Sequence, residues 1–114
     1  MAIIFKIIDA VAHQEASLTG QFAGAEIDLK DGYIHFSTAA QVAETAKRHF
    51  AGRGNLMLWA IDADGLGTAL KWENSRGGQL FPHLYAPLAM QHVIWAKPLP
   101  WDGTDHVFPA EVIA

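Results

Sequence analysis

The sequence has no cysteine, few charged residues and no long apolar run. The absence of cysteine excludes a disulfide scaffold, a thiolate zinc site and a cysteine nucleophile. Charged residues make up 18% of the 114 residues, and 12 Asp and Glu against 8 Lys and Arg give a formal net charge of -4. The basic face of a non-specific nucleic-acid binder is therefore missing, and we expect no such partner.

The apolar runs are too short for a membrane. No stretch approaches about 18 uninterrupted apolar residues, the length that spans a bilayer, so we expect no membrane partner. The first ten residues form a short apolar run broken by Lys6 and Asp9, without the basic leader and cleavage site of a signal peptide. The sequence therefore predicts a cytoplasmic protein.

The chain does have enough apolar residues, 51% of the total, for one domain over residues 1–114. A chain of this size buries roughly two-thirds of its unfolded surface. Periodicity and turn residues predict strands at 3–8, 33–36, 56–61, 69–73 and 92–97, a helix capped by Asp9 that runs to about residue 18, and a helix at 38–50. This order predicts an α+β fold, a compact single domain with a small mixed or split β-sheet and two helices.

Residues 31–38, Asp-Gly-Tyr-Ile-His-Phe-Ser-Thr, are the most informative segment. Alternation along a strand places Tyr33, His35 and Ser37 on one face, and Ile34 and Phe36 on the core face. The strand leads directly into the predicted helix. Such a junction combines polar side chains with free N–H groups, which is typical of a ligand site.

The predicted helix start at Thr38 is a candidate anion or phosphate site. Thr38 and Gln41 have the spacing of a capping box, and the free N–H groups and helix dipole favour negative charge. His35 and Ser37 would then contact a phosphate or ribose. The alternative is that His35 is a hydrogen-bonded interior histidine, while Ser37 and Thr38 only cap the helix.

Residues 81–88 contain two prolines, Pro82 and Pro87, which forbid ordinary ladder pairing and predict an irregular, stiff loop. A stiff loop holds His83 and Tyr85 in place, and such loops often line sites. The alternative is that the leucines of this loop cover the core while the two side chains form local hydrogen bonds.

Two charged residues lie in otherwise strand-like segments. Glu73 shares a strand face with Lys71 and is a candidate general base or ribose ligand, or else an ion-pair partner of Lys71 or Arg76. Lys6 lies in an apolar strand, so it must emerge at a sheet edge, pair with an acid or face a cleft.

No sequence motif identifies a cofactor site. A metal site from His35, His83 and Glu73 has suitable ligand types, but their spacing specifies nothing, and we predict no metal. The chain also lacks a glycine-rich phosphate loop and a Gly-x-Ser-x-Gly elbow. Any site must therefore come from residues that the fold brings together.

Four segments together resemble the bacterial family called domain of unknown function 952, over nearly the whole chain. They are Ile-Phe-Lys-Ile at 4–7, residues 31–38 with Gln41, Leu-Lys-Trp-Glu at 70–73, and Phe-Pro-His-Leu-Tyr-Ala-Pro-Leu at 81–88. The family name implies no established activity.

That family is similar to a minimal ADP-ribosyltransferase fold, and the His-x-Ser strand before a helix is similar to a segment of RNA 2′-phosphotransferases. In those enzymes a cleft in a split sheet holds NAD or an ADP-ribose-like group. The resemblance implies that Lys6 is the first-strand position, that His35 and Ser37 form the second, and that Glu73 or the 83–85 segment forms the third.

The leading hypothesis is a nucleotide pocket between strand 33–38 and loop 81–88, with NAD as the candidate cofactor and transfer or hydrolysis at the ribose as the reaction. His35 and Glu73 are the candidate catalytic residues. The candidate ligand-binding residues are Lys6, Tyr33, Ser37, Thr38, His83 and Tyr85. One alternative is a non-catalytic module that binds a small metabolite or a protein in the same cleft. Another is a polar network whose only role is to hold the loop in place. The sequence does not specify the oligomeric state.

Overall fold

A computed structural model describes residues 2–113, apart from the side chains of Arg76 and Ile113. In chain order the elements are β1 (Ile3–Asp9), α1 (Ala10–Thr19), β2 (Gln21–Phe22), α2 (Glu26–Asp31), β3 (Ile34–His35), α3 (Val42–His49), β4 (Leu56–Asp62), β5 (Leu70–Asn74), β6 (Leu80–Leu84), β7 (Leu88–Ala89), β8 (Val93–Pro98) and α4 (Ala110–Ile113). The α+β class is confirmed. The described strands pair antiparallel in three small sheets, not in one mixed sheet.

The first sheet has the order β1-β4-β8. Its central strand, β4, is the nearly continuous apolar run that sequence analysis predicts. Alternate residues of β1 point to opposite sides, so Ile4 and Ile8 enter one apolar cluster while Phe5 and Ile7 enter another. Lys6 falls on the same side of β1 as Ile4 and Ile8, so its side chain points toward the first apolar cluster.

The second three-stranded sheet, with the order β3-β6-β5, overturns the predicted irregular loop over residues 81–84, whereas residues 85–87 are irregular as predicted. β6 is its central strand, and Pro82 pairs with Trp72 of β5. The Pro82 carbonyl accepts a hydrogen bond from the Phe36 N–H at 3.0 Å. The missing proline N–H therefore faces β3 where that strand ends, and the ladder with β5 loses no donor.

The helices agree with the sequence in part. Asp9 caps α1, and its Oδ1 accepts from the Ala12 N–H at 2.8 Å, as predicted. The predicted start of the second long helix at Thr38 is wrong, because residues 39–41 form a turn and α3 begins at Val42. Half of the predicted capping box exists, since the Gln41 Oε1 accepts from the Thr38 N–H at 3.0 Å.

Sequence analysis missed α2, which has six residues, too few to show helical periodicity. Gly32 ends α2 with a φ of 87°, a conformation that side chains other than glycine rarely adopt. The chain then turns directly into β3, whose Ile34 and neighbouring Phe36 are buried as predicted. None of the helices within residues 2–113 is long and apolar enough to cross a membrane.

Candidate functional site

A buried ion pair links β1 to α2. The Lys6 Nζ lies 3.0 Å from Asp28 Oδ1 and 2.9 Å from Asp28 Oδ2, and the two side chains are 8% and 1% exposed. Asp28 also accepts from the backbone N–H groups of Ala25 at 2.8 Å and His35 at 3.0 Å. Of the options open for Lys6, the structure selects pairing with an acid.

The charges of this pair are set by competing effects. Burial lowers the pKa of Lys6, although the Asp28 carboxylate opposes the change. Burial alone would raise the pKa of Asp28, but the hydrogen bond from His35 and the Lys6 charge outweigh it and hold the pKa at about 2. Asp28 is therefore ionised at neutral pH.

His35 lies between two carboxylates. Its Nδ1 is 2.6 Å from Asp28 Oδ1, and its Nε2 is 2.9 Å from Asp31 Oδ2. Each ring nitrogen therefore has a carboxylate oxygen of α2 within hydrogen-bonding distance. The ring is thus held by two residues of α2, and α2 positions it at the edge of β3.

Glu73 is the centre of a second polar group. Its Oε1 accepts from the Tyr85 hydroxyl at 2.7 Å and is hydrogen-bonded to His83 Nδ1 at 2.9 Å. The bonds from Tyr85 and His83 lower the pKa of Glu73. The bond to Glu73 in turn raises the pKa of Tyr85 to about 12. The carboxylate is therefore a charged acceptor held by two ring side chains.

The rings of four residues form one continuous face. Tyr33 stacks on His83 with centroids 4.1 Å apart and lies 4.7 Å from the His35 ring and 5.2 Å from the Tyr85 ring. The strand register explains why these rings meet. His35 pairs with His83 across β3 and β6, and Tyr33, two residues before His35, shares its face. We call Tyr33, His35, Glu73, His83 and Tyr85 the acidic–aromatic face.

A cleft of about 270 Å³ opens beside this face, between α2, β3 and the turn that follows β6. Its lining residues are Ala23, Asp28, Leu29, Gly32, Tyr33, Ile34, Leu84, Tyr85, Ala86 and Pro87. Tyr33 and Tyr85 give this cleft flat aromatic surface, while the Asp28 carboxylate at its wall is already held by Lys6, Ala25 and His35.

The structure does not bring all predicted site residues to the cleft. Lys6 lies behind Asp28. The Ser37 Oγ is buried against Thr45 Oγ1 of α3 at 3.0 Å, and the Thr38 N–H is bonded to Gln41. The residues of the acidic–aromatic face are brought together, and two of them, Tyr33 and Tyr85, line the cleft, whereas Lys6, Ser37 and Thr38 do not.

Sequence reasoning missed Asp28. An acidic partner was one of three alternatives for a lysine inside an apolar strand, and nothing indicated which acid it would be. The sequence offered Lys71 or Arg76 as an ion-pair partner of Glu73. In the structure, its hydrogen-bond partners are Tyr85 and His83. The Arg76 side chain lies outside the described part of the chain. Within residues 2–113, no three His, Asp or Glu side chains are arranged to hold a metal ion.

These features define an α+β domain with one acidic–aromatic face beside a small cleft. The family model described as a protein of unknown function, DUF952, matches residues 7–96, and the chain belongs to this family. A search of curated proteins finds no match.

Solved structures of protein CC0527 from Caulobacter crescentus are similar to this chain. Its crystal structure has 40% sequence identity and a TM-score of 0.93, over 98% of this chain and 99% of that chain. A double mutant of that protein has 39% identity and a TM-score of 0.93, with the same coverage. Its solution NMR structure has 43% identity and a TM-score of 0.83, over 93% of this chain and 91% of that chain. These matches establish the family and the fold, whereas the ADP-ribosyltransferase likeness stays a prediction.

Proposed function

We propose that the cleft and the acidic–aromatic face bind the ring and ribose of an NAD-like or ADP-ribose-like nucleotide. The observation that carries this proposal is the Glu73 carboxylate, which Tyr85 and His83 hold at the rim of the ring cluster. A fixed carboxylate beside flat rings accepts hydrogen bonds from a sugar while the rings stack on a base.

The charge of the site favours one end of such a nucleotide. Asp31 and Glu73 place two carboxylates beside the rings, whereas the Asp28 carboxylate is 1% exposed and its charge is paired with Lys6. The two exposed carboxylates repel phosphates but accept from ribose hydroxyls and attract a cationic ring. The nicotinamide ring of NAD is cationic and stacks on tyrosine. The volume of about 270 Å³ is just below the range of roughly 300–1,000 Å³ that is usual for ligand pockets, so it suits one ring with its sugar and not a whole dinucleotide.

If the protein is an enzyme with an ADP-ribosyltransferase-like fold, the reaction is transfer or hydrolysis at the ribose of the nucleotide. The bond from ribose C1′ to nicotinamide breaks, the pair of electrons leaves with nicotinamide, and a nucleophile forms the new bond to C1′. The hydrogen bonds that lower the pKa of Glu73 make it a weak base. In this proposal Glu73 therefore stabilises positive charge on the ribose more than it removes a proton.

The second candidate is a non-catalytic module that binds a small metabolite in the same cleft. It is favoured by His35, whose two ring nitrogens both face carboxylates. A ring held in this way has no free nitrogen with which to move a proton on a ligand. Under this candidate, His35 orders the site and Glu73 and Tyr85 hold the ligand.

Thermal unfolding with NAD and with ADP-ribose tests the proposal. A ligand at about a hundred times its Kd adds roughly 2.7 kcal/mol, which raises the Tm by about 10 °C or more in a domain of this size. Glu73→Gln and Tyr85→Phe should remove the rise. Glu44→Gln, a change of an exposed carboxylate on α3, is the matched control and should keep it.

Three results separate the candidates. A Tm rise with release of nicotinamide supports the enzyme, and a rise without it supports the binding module. The absence of any rise for the wild type refutes a pocket for these ligands. If His35→Ala also melts several degrees early, the polar groups serve only to fix the fold.

A further inference from the structure

We propose that β5 is a dimerisation edge, which pairs antiparallel with β5 of a second copy and places Lys71 of each copy beside Glu73 of the other. This inference needs no ligand and stands independently of the proposed function. It rests on unpaired backbone groups, exposed apolar side chains and the order of charges along the strand.

The outer side of β5 is free in the described chain. The order β3-β6-β5 places β5 at the sheet edge. The Tyr85 N–H donates to the Ala69 carbonyl at 2.8 Å, so the odd-numbered residues of β5 face β6 and the even-numbered residues face outward. Within residues 2–113, the N–H groups of Trp72 and Asn74 therefore have no strand partner. Such an edge is a template for another strand.

Exposed apolar side chains lie at this edge. Trp72 is 45% exposed and Leu80, two residues before its partner Pro82, is 51% exposed. Both belong to the same face of the β5–β6 hairpin, because residues two apart along a strand share a face. Exposed tryptophan is unusual on a solvated edge and common at the centre of interfaces.

The charge order of β5 is self-complementary. Its sequence is Leu-Lys-Trp-Glu-Asn, and antiparallel pairing about Trp72 places Lys71 directly opposite Glu73 of the second copy, twice by symmetry. Opposite charges at such cross-strand positions stabilise a pair, and like charges destabilise it. The two tryptophans then face each other, as an isologous twofold interface requires.

The same register satisfies the backbone. Trp72 of each copy donates to Trp72 of the other, and Asn74 of each donates to the Leu70 carbonyl of the other, for four main-chain hydrogen bonds. The Leu70 N–H already donates to the Gly67 carbonyl in its own chain. The main-chain hydrogen bonds of the dimer thus use groups of Leu70, Trp72 and Asn74 that have no strand partner within residues 2–113.

Another edge strand, β8 of the sheet β1-β4-β8, lacks these features. Its Ile94 is 46% exposed, but Lys97 is already paired with Glu111 of its own chain. The sequence of β8 contains no acid to oppose a lysine of a second copy. Ile94 therefore serves as the matched control for Trp72.

Sedimentation velocity over a wide concentration range tests the proposal. The wild type should move from 12.4 kDa toward twice that mass as concentration rises. Trp72→Lys should abolish the shift, and Ile94→Lys should leave it unchanged. Lys71→Glu, which places like charges opposite each other twice, should weaken dimerisation by about tenfold.

The reciprocal exchange decides whether the register is correct. The double variant Lys71→Glu/Glu73→Lys restores opposite charges and should recover most of the wild-type dimerisation. Circular dichroism confirms that each variant is folded. A wild type that stays monomeric at the highest concentration, loss of the dimer in Ile94→Lys, or no recovery in a folded double variant would each overturn the proposal.

Discussion

Replacing Asp28 with asparagine removes the charge that compensates the buried Lys6 ammonium. The lysine side chain is 8% exposed and its acidic partner lies 2.9 Å away. Breaking a buried pair by removing one partner costs roughly 3–5 kcal/mol, because an uncompensated charge remains in the interior. In a domain of this size that corresponds to a fall in Tm of roughly 15 °C or more.

The reverse change should cost less. Lys6→Met leaves the Asp28 carboxylate with donors from the Ala25 N–H, the His35 N–H and the His35 ring. The loss is then one hydrogen bond to a charged group, roughly 1.5–3 kcal/mol. The double variant Lys6→Met/Asp28→Asn should be more stable than Asp28→Asn, because no unpaired ammonium is left.

Urea unfolding at neutral pH, followed by circular dichroism, gives the free energies of unfolding of the wild type, the two single variants and the double variant. These four values form a double-mutant cycle. Glu44→Gln is the control, because it breaks the exposed pair with Arg48 at 3.3 Å and should cost less than about 1 kcal/mol. The reasoning is refuted if Asp28→Asn is as stable as Lys6→Met, or if the double variant is less stable than Asp28→Asn.

Three further predictions concern the titration of Asp28, the titration of Tyr85 and a buried hydrogen bond of Trp59. The folded pKa of Asp28 is about 2, below the ordinary 3.8, so its stabilising contribution is present above about pH 4 and is lost as the pH falls toward 2; urea unfolding across this range should show a loss of roughly 2–3 kcal/mol that Asp28→Asn lacks. The hydrogen bond to Glu73 raises the pKa of Tyr85 to about 12, so this bond is present below pH 10 and is lost as the pH rises through 12; Glu73→Gln should bring the tyrosinate absorbance to lower pH, and an unchanged titration would contradict the bond. The buried Trp59 Nε1–H donates to His13 Nδ1 at 2.9 Å, so His13→Ala should cost about 1–3 kcal/mol and His13→Gln less, by urea unfolding; equal costs would show that the acceptor is unimportant.

Much of the local structure could be predicted because it depends on neighbouring residues. An apolar, β-branched run determines β1, Asp9 determines the start of α1, and alternation places Ile34 inside and Tyr33 outside. The acidic–aromatic face follows from the same alternation in part, since Tyr85, just after β6, lies two residues beyond His83 and shares its face, even though this segment was predicted to be an irregular loop.

By itself, therefore, the sequence determined the α+β class, the alternation of the site strand and the residue types of the site. The tertiary structure decided which of these residues meet. Asp28 is 22 residues from Lys6 and Glu73 is 12 residues from Tyr85, and no local pattern specifies either distance. Pro82 is tolerated in a central strand for the same reason: whether its missing N–H costs a hydrogen bond depends on which neighbour it faces, and that is settled only when three strands are assembled.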